Sequence, residues 1–323
     1  MSTGTTARPQ PTERPARVLH TAQALVDVTI PVPHLPRRGQ NANATAMPQY
    51  AAGGAVTILV AAARTGATAV HGGAHGTGPN GDIIRAALAA DGIRLSADPV
   101  PDEDTGPCFV FVEPSGERTF VTTYGAERRI TAASLAALAP EPGDLVCVSG
   151  YSLFAPTREP LLEFLESLPS GVEIVLDPGA PFADFDEELR RRMLRLTTVW
   201  TSNADEAEGL VGAADDLHAI RDLIAGDVVI VRDGEKGCTV LAGGATVDVA
   251  GFPQTPVDTN GAGDTHTGIL LAERALGSDW AAAAERANAG AALKVTRLGP
   301  ASVPAREEVS AFLASDPPRS SID

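Results

Sequence analysis

From residue 145 onward short apolar runs alternate with amphipathic ones, and that alternation restricts the fold more than any other feature of the chain. Strands are expected at 145–149, 172–177, 198–202 and 228–232, with helices near 159–167 and 186–195 and a further helix before the last strand. Runs this apolar belong to strands buried on both faces, so the expected fold class is α/β, a doubly wound, mostly parallel sheet covered by helices on both sides.

The first half is less regular. A first strand lies within 17–30 and ends near Asp27; 31–49 is proline-rich and loop-like; an Ala-rich helix over 51–65 stops at Gly66. A strand at 67–71, a helix at 83–90 and a hairpin pairing 109–113 with 118–123 around Pro114-Ser115-Gly116-Glu117 follow. Open parallel sheets collect ligands at the carboxyl ends of their strands, where Asp27, Asn203, Arg232 and Asp258 are expected.

Composition excludes several function classes. With 323 residues, 44% of them hydrophobic, the chain can bury a large core as one domain, or as one domain with an appendage. A net charge of −16 and the lack of any Lys/Arg-rich run argue against nucleic acid as a partner. No apolar run reaches the length of a membrane span. Cys108, Cys147 and Cys238 are far apart, odd in number and flanked by strand-like sequence, so they are expected to be packing residues in a reducing cytoplasm. Residues 1–17, rich in Thr, Pro and Arg, are expected to be a disordered tail and neither signal peptide nor anchor; 18–315 is the expected folded domain, and 316–323 a C-terminal tail.

One stretch carries chemistry: Val257-Asp258-Thr259-Asn260-Gly261-Ala262-Gly263-Asp264-Thr265, ahead of the apolar 267–276. Small residues at Gly261, Ala262 and Gly263 let successive N–H groups face one point at the positive end of a helix, an anion site. Asp264 beside it can take a proton from a hydroxyl while the N–H groups steady a phosphoryl group. The plainer alternative is a glycine turn with Asp264 as helix N-cap. A P-loop is excluded, since no G-x-x-x-x-G-K-[ST] occurs and the lysines are only Lys236 and Lys294. Gly76-Thr77-Gly78-Pro79-Asn80-Gly81 matches the dinucleotide fingerprint, but its preceding strand is short and ends in glycines, and Pro79 stiffens the loop. His71 and His75 are spaced as helical metal ligands, yet Gly72-Gly73 between them precludes a stable helix.

With these residues in hand, the chain resembles the ribokinase/PfkB carbohydrate-kinase family from Val18 to Leu313. The 258–264 motif is similar to that family's second signature, and Gly53-Gly54 with the Ala-rich helix to its first. Asn203-Ala204-Asp205-Glu206 is similar to its N-x-x-E motif, 232–237 to its nucleotide loop, and 287–289 with 295–299 to its C-terminal nucleotide and cation segment.

The resemblance implies a small β lid, from about 28–50 and 107–124, over a large doubly wound domain, and transfer of the ATP γ-phosphate to a sugar hydroxyl. It implies Asp264 as base, Gly261, Ala262 and Gly263 as anion hole, and Asp27, Gly53, Gly54 and Thr57 at the sugar. It places Asn203, Glu206, Arg232, Gly234, Gly237 and Asn288 at the nucleotide, with Glu206 holding Mg²⁺ through water. It assigns a monovalent cation, K⁺, to Asp258, the carbonyls of Asn260, Lys294, Arg297 and Gly299, and Ser302. Ribose or another furanose is the favoured substrate, since 291–313 is most similar to ribokinases; a nucleoside kinase and a non-catalytic sugar-binding regulator are the alternatives. The implied partners are a small sugar and ATP, with a homodimer through the lid. The chain departs from the family pattern at Thr57, where Asn is usual, at Arg232, where Thr is usual, and at His266, where an aromatic is usual.

Overall fold

A computed structural model of the chain describes residues 14–300 and 302–321. Its large sheet has nine strands in the order β13 (Ala245–Ala250), β12 (Gly237–Ala242), β11 (Val228–Arg232), β10 (Val199–Asn203), β9 (Glu173–Asp177), β8 (Leu145–Ser149), β1 (Arg17–His20), β4 (Thr68–His71) and β5 (Arg94–Leu95). The run from β11 to β5 is parallel, and β12 and β13 form an antiparallel edge. From β1 the chain builds β4 and β5 outward on one side, then returns to build β8 to β11 on the other. The order therefore reverses between β1 and β8, which opens a crevice at the carboxyl ends of the strands.

Helices α1 (Ala55–Thr65), α2 (Pro79–Ala90), α8 (Ala262–Ala275), α9 (Trp280–Val295) and α10 (Arg306–Ala314) share one apolar core. Helices α3 (Ala132–Ala136), α4 (Arg158–Glu166), α5 (Glu187–Leu194), α6 (Ala204–Val211) and α7 (Leu217–Leu223) share the other. The strands separate the two by strict alternation: Cys147, Val175, Val199 and Ile230 enter the first core, and Val146, Leu176, Trp200 and Val229 the second. This is the two-faced burial expected of the apolar runs.

A second sheet of four strands, β3 (Gln49–Gly54), β2 (Ala24–Pro31), β6 (Pro107–Val112) and β7 (Arg118–Thr122), is built from the two segments that interrupt the alternation. Here five expectations are corrected. The single strand within 17–30 is two, because the His20 ring Nδ1 accepts the Ala22 N–H (3.0 Å) in place of a ladder partner and the chain crosses from one sheet to the other. Asp27 thus lies in the middle of β2, not at a carboxyl end. The Ala-rich helix begins at Ala55, since Gln49–Gly54 pairs antiparallel with β2. Asp258 follows no strand directly; β13 ends eight residues earlier, and the loop to α8 carries it. Two helices rather than one join β10 to β11.

Both expected tails are partly structured. Residues 1–13 lie outside the described residues, but Arg14 and Arg17 pair with the buried Asp144 (2.9 and 2.6 Å), and Arg17 opens β1. At the other end Arg319 pairs with Glu285 (2.6 Å) and stacks over the Phe252 ring, while the Ser320 N–H donates to the Gly251 carbonyl (3.0 Å). The three cysteines are buried and free in β6, β8 and β12. Among the described residues no helix is long and apolar enough to cross a membrane.

Candidate active site

The loop that carries the chemistry is shaped by Gly261, whose φ of +77° turns the chain into α8. A Cβ there would stand 3.0 Å from the Pro300 carbonyl and 3.2 Å from the Thr57 methyl, so the turn is packed from two sides. At the first turn of α8 the N–H groups of Gly263 and Asp264 have no helical carbonyl to take them. The Ala262 N–H does: it donates to the Thr259 carbonyl (3.2 Å). Of the expected anion hole of Gly261, Ala262 and Gly263, the Ala262 N–H is therefore engaged in the turn and the Gly263 N–H is left open, with Gly263 on the wall of the cleft described next.

Asp264 is the third residue of α8. A helix N-terminus alone would favour its charged form, but burial foremost, and then the Asp177 carboxylate, push it up to about 7 against the pull of Arg232; Asp27 and Glu206 add to the rise. Asp177 ends β9, accepts from the Thr267 hydroxyl (3.3 Å) and lies 3.5 Å from the Arg232 guanidinium. Arg232, ending β11, also donates to Thr201 Oγ1 (2.8 Å) and Thr267 Oγ1 (3.0 Å) and lies against Gly263. It therefore neither caps its strand nor reaches freely into solvent. It lies as a fixed cation beside the anion loop.

Asn203 and Glu206 cap α6 reciprocally: the Asn203 side chain accepts the Glu206 N–H (2.8 Å) and the Glu206 carboxylate the Asn203 N–H (2.9 Å). Burial, followed by Asp177, raises the Glu206 pKa, so this carboxylate too sits in the acidic cluster.

Next to these groups opens a cleft of about 510 Å³, lined by Asn203, Arg232, Gly234, Phe252, His266 and Asn288 among others. That is a volume for a small molecule of nucleotide size. Gly237, also on its wall, lies so close to the neighbouring strand that a Cβ would stand 2.1 Å from the Val249 carbonyl. His266 is buried, and its Nε2 lies 3.1 Å from Asn288 Oδ1. The Asn288 amide donates to the Val249 and Ala250 carbonyls (3.0 and 3.2 Å), which leaves Oδ1 as an acceptor and puts the ring proton on Nε2. Burial, then Arg232, hold the ring neutral, its pKa lowered to about 3. His266 is thus a packed residue that fixes Asn288.

On the other side of Asp264, Asp27 projects from β2. Gly53 lies against it; a Cβ there would stand 2.4 Å from Asp27 Oδ2, so only glycine leaves room for the carboxylate. Asn260 Nδ2 approaches the same oxygen at 3.4 Å. Burial pushes Asp27 up to about 6, with Asn260 opposing and Asp258 adding. Gly54 turns β3 into α1. Thr57, expected at the sugar, is instead fully buried in α1 beneath Gly261, with no exposed surface through which to touch a substrate. It is corrected to a packing residue of the anion loop.

The residues expected to hold a monovalent metal do not fit one. Lys294 brings not only its carbonyl but its ammonium, which donates to the Asp258 carbonyl oxygen at 2.8 Å. The Lys294 carbonyl accepts the Arg297 N–H (2.9 Å), and the Gly299 carbonyl accepts the Ser302 hydroxyl (2.7 Å). The Arg297 side chain turns outward to Glu308. Magnesium is a different case. Among the described residues no three His, Cys, Asp or Glu side chains form a metal-holding group. Glu206 and Asp177, close to each other and to Arg232, suit a cation that takes its remaining ligands from an anion and water.

The dinucleotide fingerprint has a structural use. Asp104 accepts the N–H groups of Asn80 (3.1 Å), Gly81 (2.9 Å) and Thr105 (2.8 Å), so the anion site at the start of α2 is filled by the protein itself. The glycines make room for the 103–105 segment: a Cβ at Gly76 would stand 2.3 Å from the Glu103 carbonyl, and one at Gly78 2.4 Å from the Asp104 side chain.

Asp177 escaped sequence reasoning, whereas Arg118 was expected on the hairpin either to close over substrate or to be an exposed edge residue, and the structure ties it to the 258–259 loop instead. Asp177 was signalled by its place at the carboxyl end of a parallel strand. Arg118, on the β7 strand of the hairpin, crosses to the Asp258 carboxylate and to Thr259 Oγ1 (2.8 Å), a tie between the small sheet and the loop whose partner no local sequence specifies.

Comparison with known proteins bears on the family and the fold. The pfkB family carbohydrate kinase model matches residues 16–306. The uncharacterised sugar kinase YegV of Escherichia coli is 31% identical over 306 residues, covering 90% of this chain and 92% of that one. Ribokinase of Bacillus subtilis is 29% identical over 293 residues, covering 90% and 96%. A ribokinase II candidate from E. coli, solved with ATP and Mg²⁺, superposes with a TM-score of 0.76 at 25% identity, covering 93% and 99%. The chain belongs to the pfkB family of carbohydrate kinases.

Proposed function

We propose that this phosphotransferase moves the γ-phosphoryl group of ATP to a hydroxyl of a furanose, with ribose the first candidate. The observation that carries the reading is Asp264: a carboxylate whose pKa burial pushes up to about 7, at a helix N-terminus whose first residues line a nucleotide-sized cleft, and within electrostatic reach of Asp27. Nucleotide in the cleft beside Asn203, Gly234 and Asn288 points its phosphates at Arg232 and the first turn of α8. The sugar lies against Asp27, Gly53 and Asn260, where a carboxylate and an amide accept and donate to neighbouring hydroxyls. Asp264 takes the proton of the attacking hydroxyl, and the Gly263 and Asp264 N–H groups with Arg232 face the charge on the transferring group. Magnesium, held through water by Glu206 and Asp177, would neutralise charge on the phosphates.

The similarity to B. subtilis ribokinase supports the choice of sugar. Exposed Tyr50 and Val121 on the small sheet support a homodimer through the lid, and three free buried cysteines support a reducing cytoplasm. The test is a panel of furanoses, ketohexoses and nucleosides assayed for ADP release and phosphorylated product. A furanose with the highest kcat/KM is the expected result; a nucleoside preferred over every free sugar rejects the substrate, and ATP turnover with no acceptor rejects the kinase reading.

A further inference from the structure

Lys294 is one of two lysines in the chain, and it is fully buried in the last turn of α9. A buried ammonium is costly unless oxygens take its donors, so the oxygens it faces report what it does. Its Nζ donates to the Asp258 carbonyl at 2.8 Å and lies 3.9 Å from Asp258 Oδ2. Asp258 opens the loop that ends in the Gly261 turn. Its carboxylate is already engaged: Oδ1 accepts the Asn260 N–H (2.9 Å) and the Arg118 guanidinium, and Oδ2 accepts the Gly299 N–H (2.9 Å). The backbone on either side is zipped to α9, for the N–H groups of Val257 and Asp258 donate to the Val295 carbonyl (2.7 and 3.0 Å). A free metal ion entering here would meet two fixed cations and displace donors that are already paired.

We propose that the Lys294 ammonium is a built-in monovalent cation under the phosphate-binding loop, so that catalysis by this chain does not depend on potassium. An ammonium and a potassium ion have the same charge and nearly the same radius, and both are satisfied by carbonyl and carboxylate oxygens. The tethered one cannot be diluted away. Burial lowers the Lys294 pKa while Asp258, ahead of Asp264, resists the change; Arg118 is the nearby like charge. From its place at the end of α9 the ammonium holds the Asp258 carbonyl, which fixes the loop leading to Gly261 and keeps positive charge near the transferring phosphoryl group.

The catalytic arm of the test rests on the kinase reading, and the binding arm does not. Initial rates of the wild type in KCl, NaCl and tetramethylammonium chloride at equal ionic strength should agree within about twofold, the spread left once screening is held constant. A wild-type rate that rises tenfold or more with K⁺ overturns the proposal. Lys294→Met should lose roughly 10-fold or more in kcat, on the scale of one lost electrostatic contact at the transition state, and recover in part with K⁺ or methylammonium but not with tetramethylammonium. A folded Lys294→Met enzyme with unchanged rates, or with a loss that no small cation restores, also overturns it. Should that variant not fold, wild-type crystals soaked in RbCl decide: no rubidium at the Asp258 carbonyl is expected, and rubidium bound there rejects the inference. The crystal result stands even if no acceptor is phosphorylated, so the two readings fail separately.

Discussion

Asp177 Oδ2 lies 3.5 Å from the Arg232 guanidinium, and these opposite charges pull the Asp264 pKa in opposite directions. Each sits at the carboxyl end of its strand, so the sheet itself sets the balance. A base must be deprotonated to act. With the Asp264 pKa near 7, kcat/KM for the sugar is expected to rise with pH and level off above about pH 7. Asp177→Asn removes a charge that raises this pKa and should move the acidic limb down by roughly half a unit to one unit, within what a neighbouring charge can do. Arg232→Met removes the opposing charge and should move it up. Limbs that stay in place in both variants would show that another group titrates.

Asp264→Asn keeps the shape of the side chain and removes its ability to take a proton. A fall in kcat of about 10² to 10⁴ is expected, with ATP and sugar binding retained by calorimetry. Stability should change in the opposite sense. A carboxyl whose pKa is raised on folding binds more protons folded than unfolded between about pH 4 and pH 7, so the native state loses stability as pH rises through that window. Asn carries no such penalty. The variant should melt above the wild type at pH 8, with the gap closing toward pH 4. Parallel melting curves would mean that Asp264 is an ordinary surface carboxylate.

The regular half of the fold was legible because each strand from β8 to β11 is an apolar run buried on both faces, a pattern that local sequence carries in full. Its ends came within a residue or so: 145–149 and 228–232 are the observed β8 and β11. The first half was misread where tertiary contacts decide. Nothing local says that Gln49–Gly54 will pair with β2 and delay α1, or that His20 will take the Ala22 N–H and break the first strand. The site divides in the same way. Asp264, Asn203 and Asn288 sit in motifs and so could be named from sequence, and the structure brings them to one region; Thr57 was misplaced because its neighbour Gly261 is far off in sequence. The Lys294 ammonium is found only by following one side chain from α9 to Asp258.

Asp27 and Gly53 form one device and should fail together. Asp27→Ala removes a largely buried carboxylate acceptor, and a loss of about 2 to 4 kcal/mol in kcat/KM for the sugar is expected. Gly53→Ala leaves the carboxylate in the chain but sets a methyl 2.4 Å from its Oδ2. It should therefore push Asp27 aside and reproduce the sugar defect, while the KM for ATP in both variants stays near that of the wild type. Equal damage to the ATP term would remove Asp27 from the sugar half of the cleft.

Glu206 has an observed role as a cap and a proposed one at magnesium, and one substitution separates them. As the third residue of α6 it completes a reciprocal cap with Asn203, and as a carboxylate in the cluster with Asp177 it is placed to hold the water shell of Mg²⁺. Gln can accept the same backbone N–H, since either Glu or Gln closes such a cap, but it carries no charge. Glu206→Gln should therefore keep the melting temperature while raising the Mg²⁺ concentration needed for half-maximal rate by roughly tenfold, about the effect of one supporting ligand group. Glu206→Ala loses the cap as well and should destabilise by about 1 kcal/mol in addition. The readouts are a magnesium titration of initial rate and a thermal melt on the same preparations. If Glu206→Gln titrates like the wild type, Glu206 only caps α6, and the magnesium role passes to Asp177 alone.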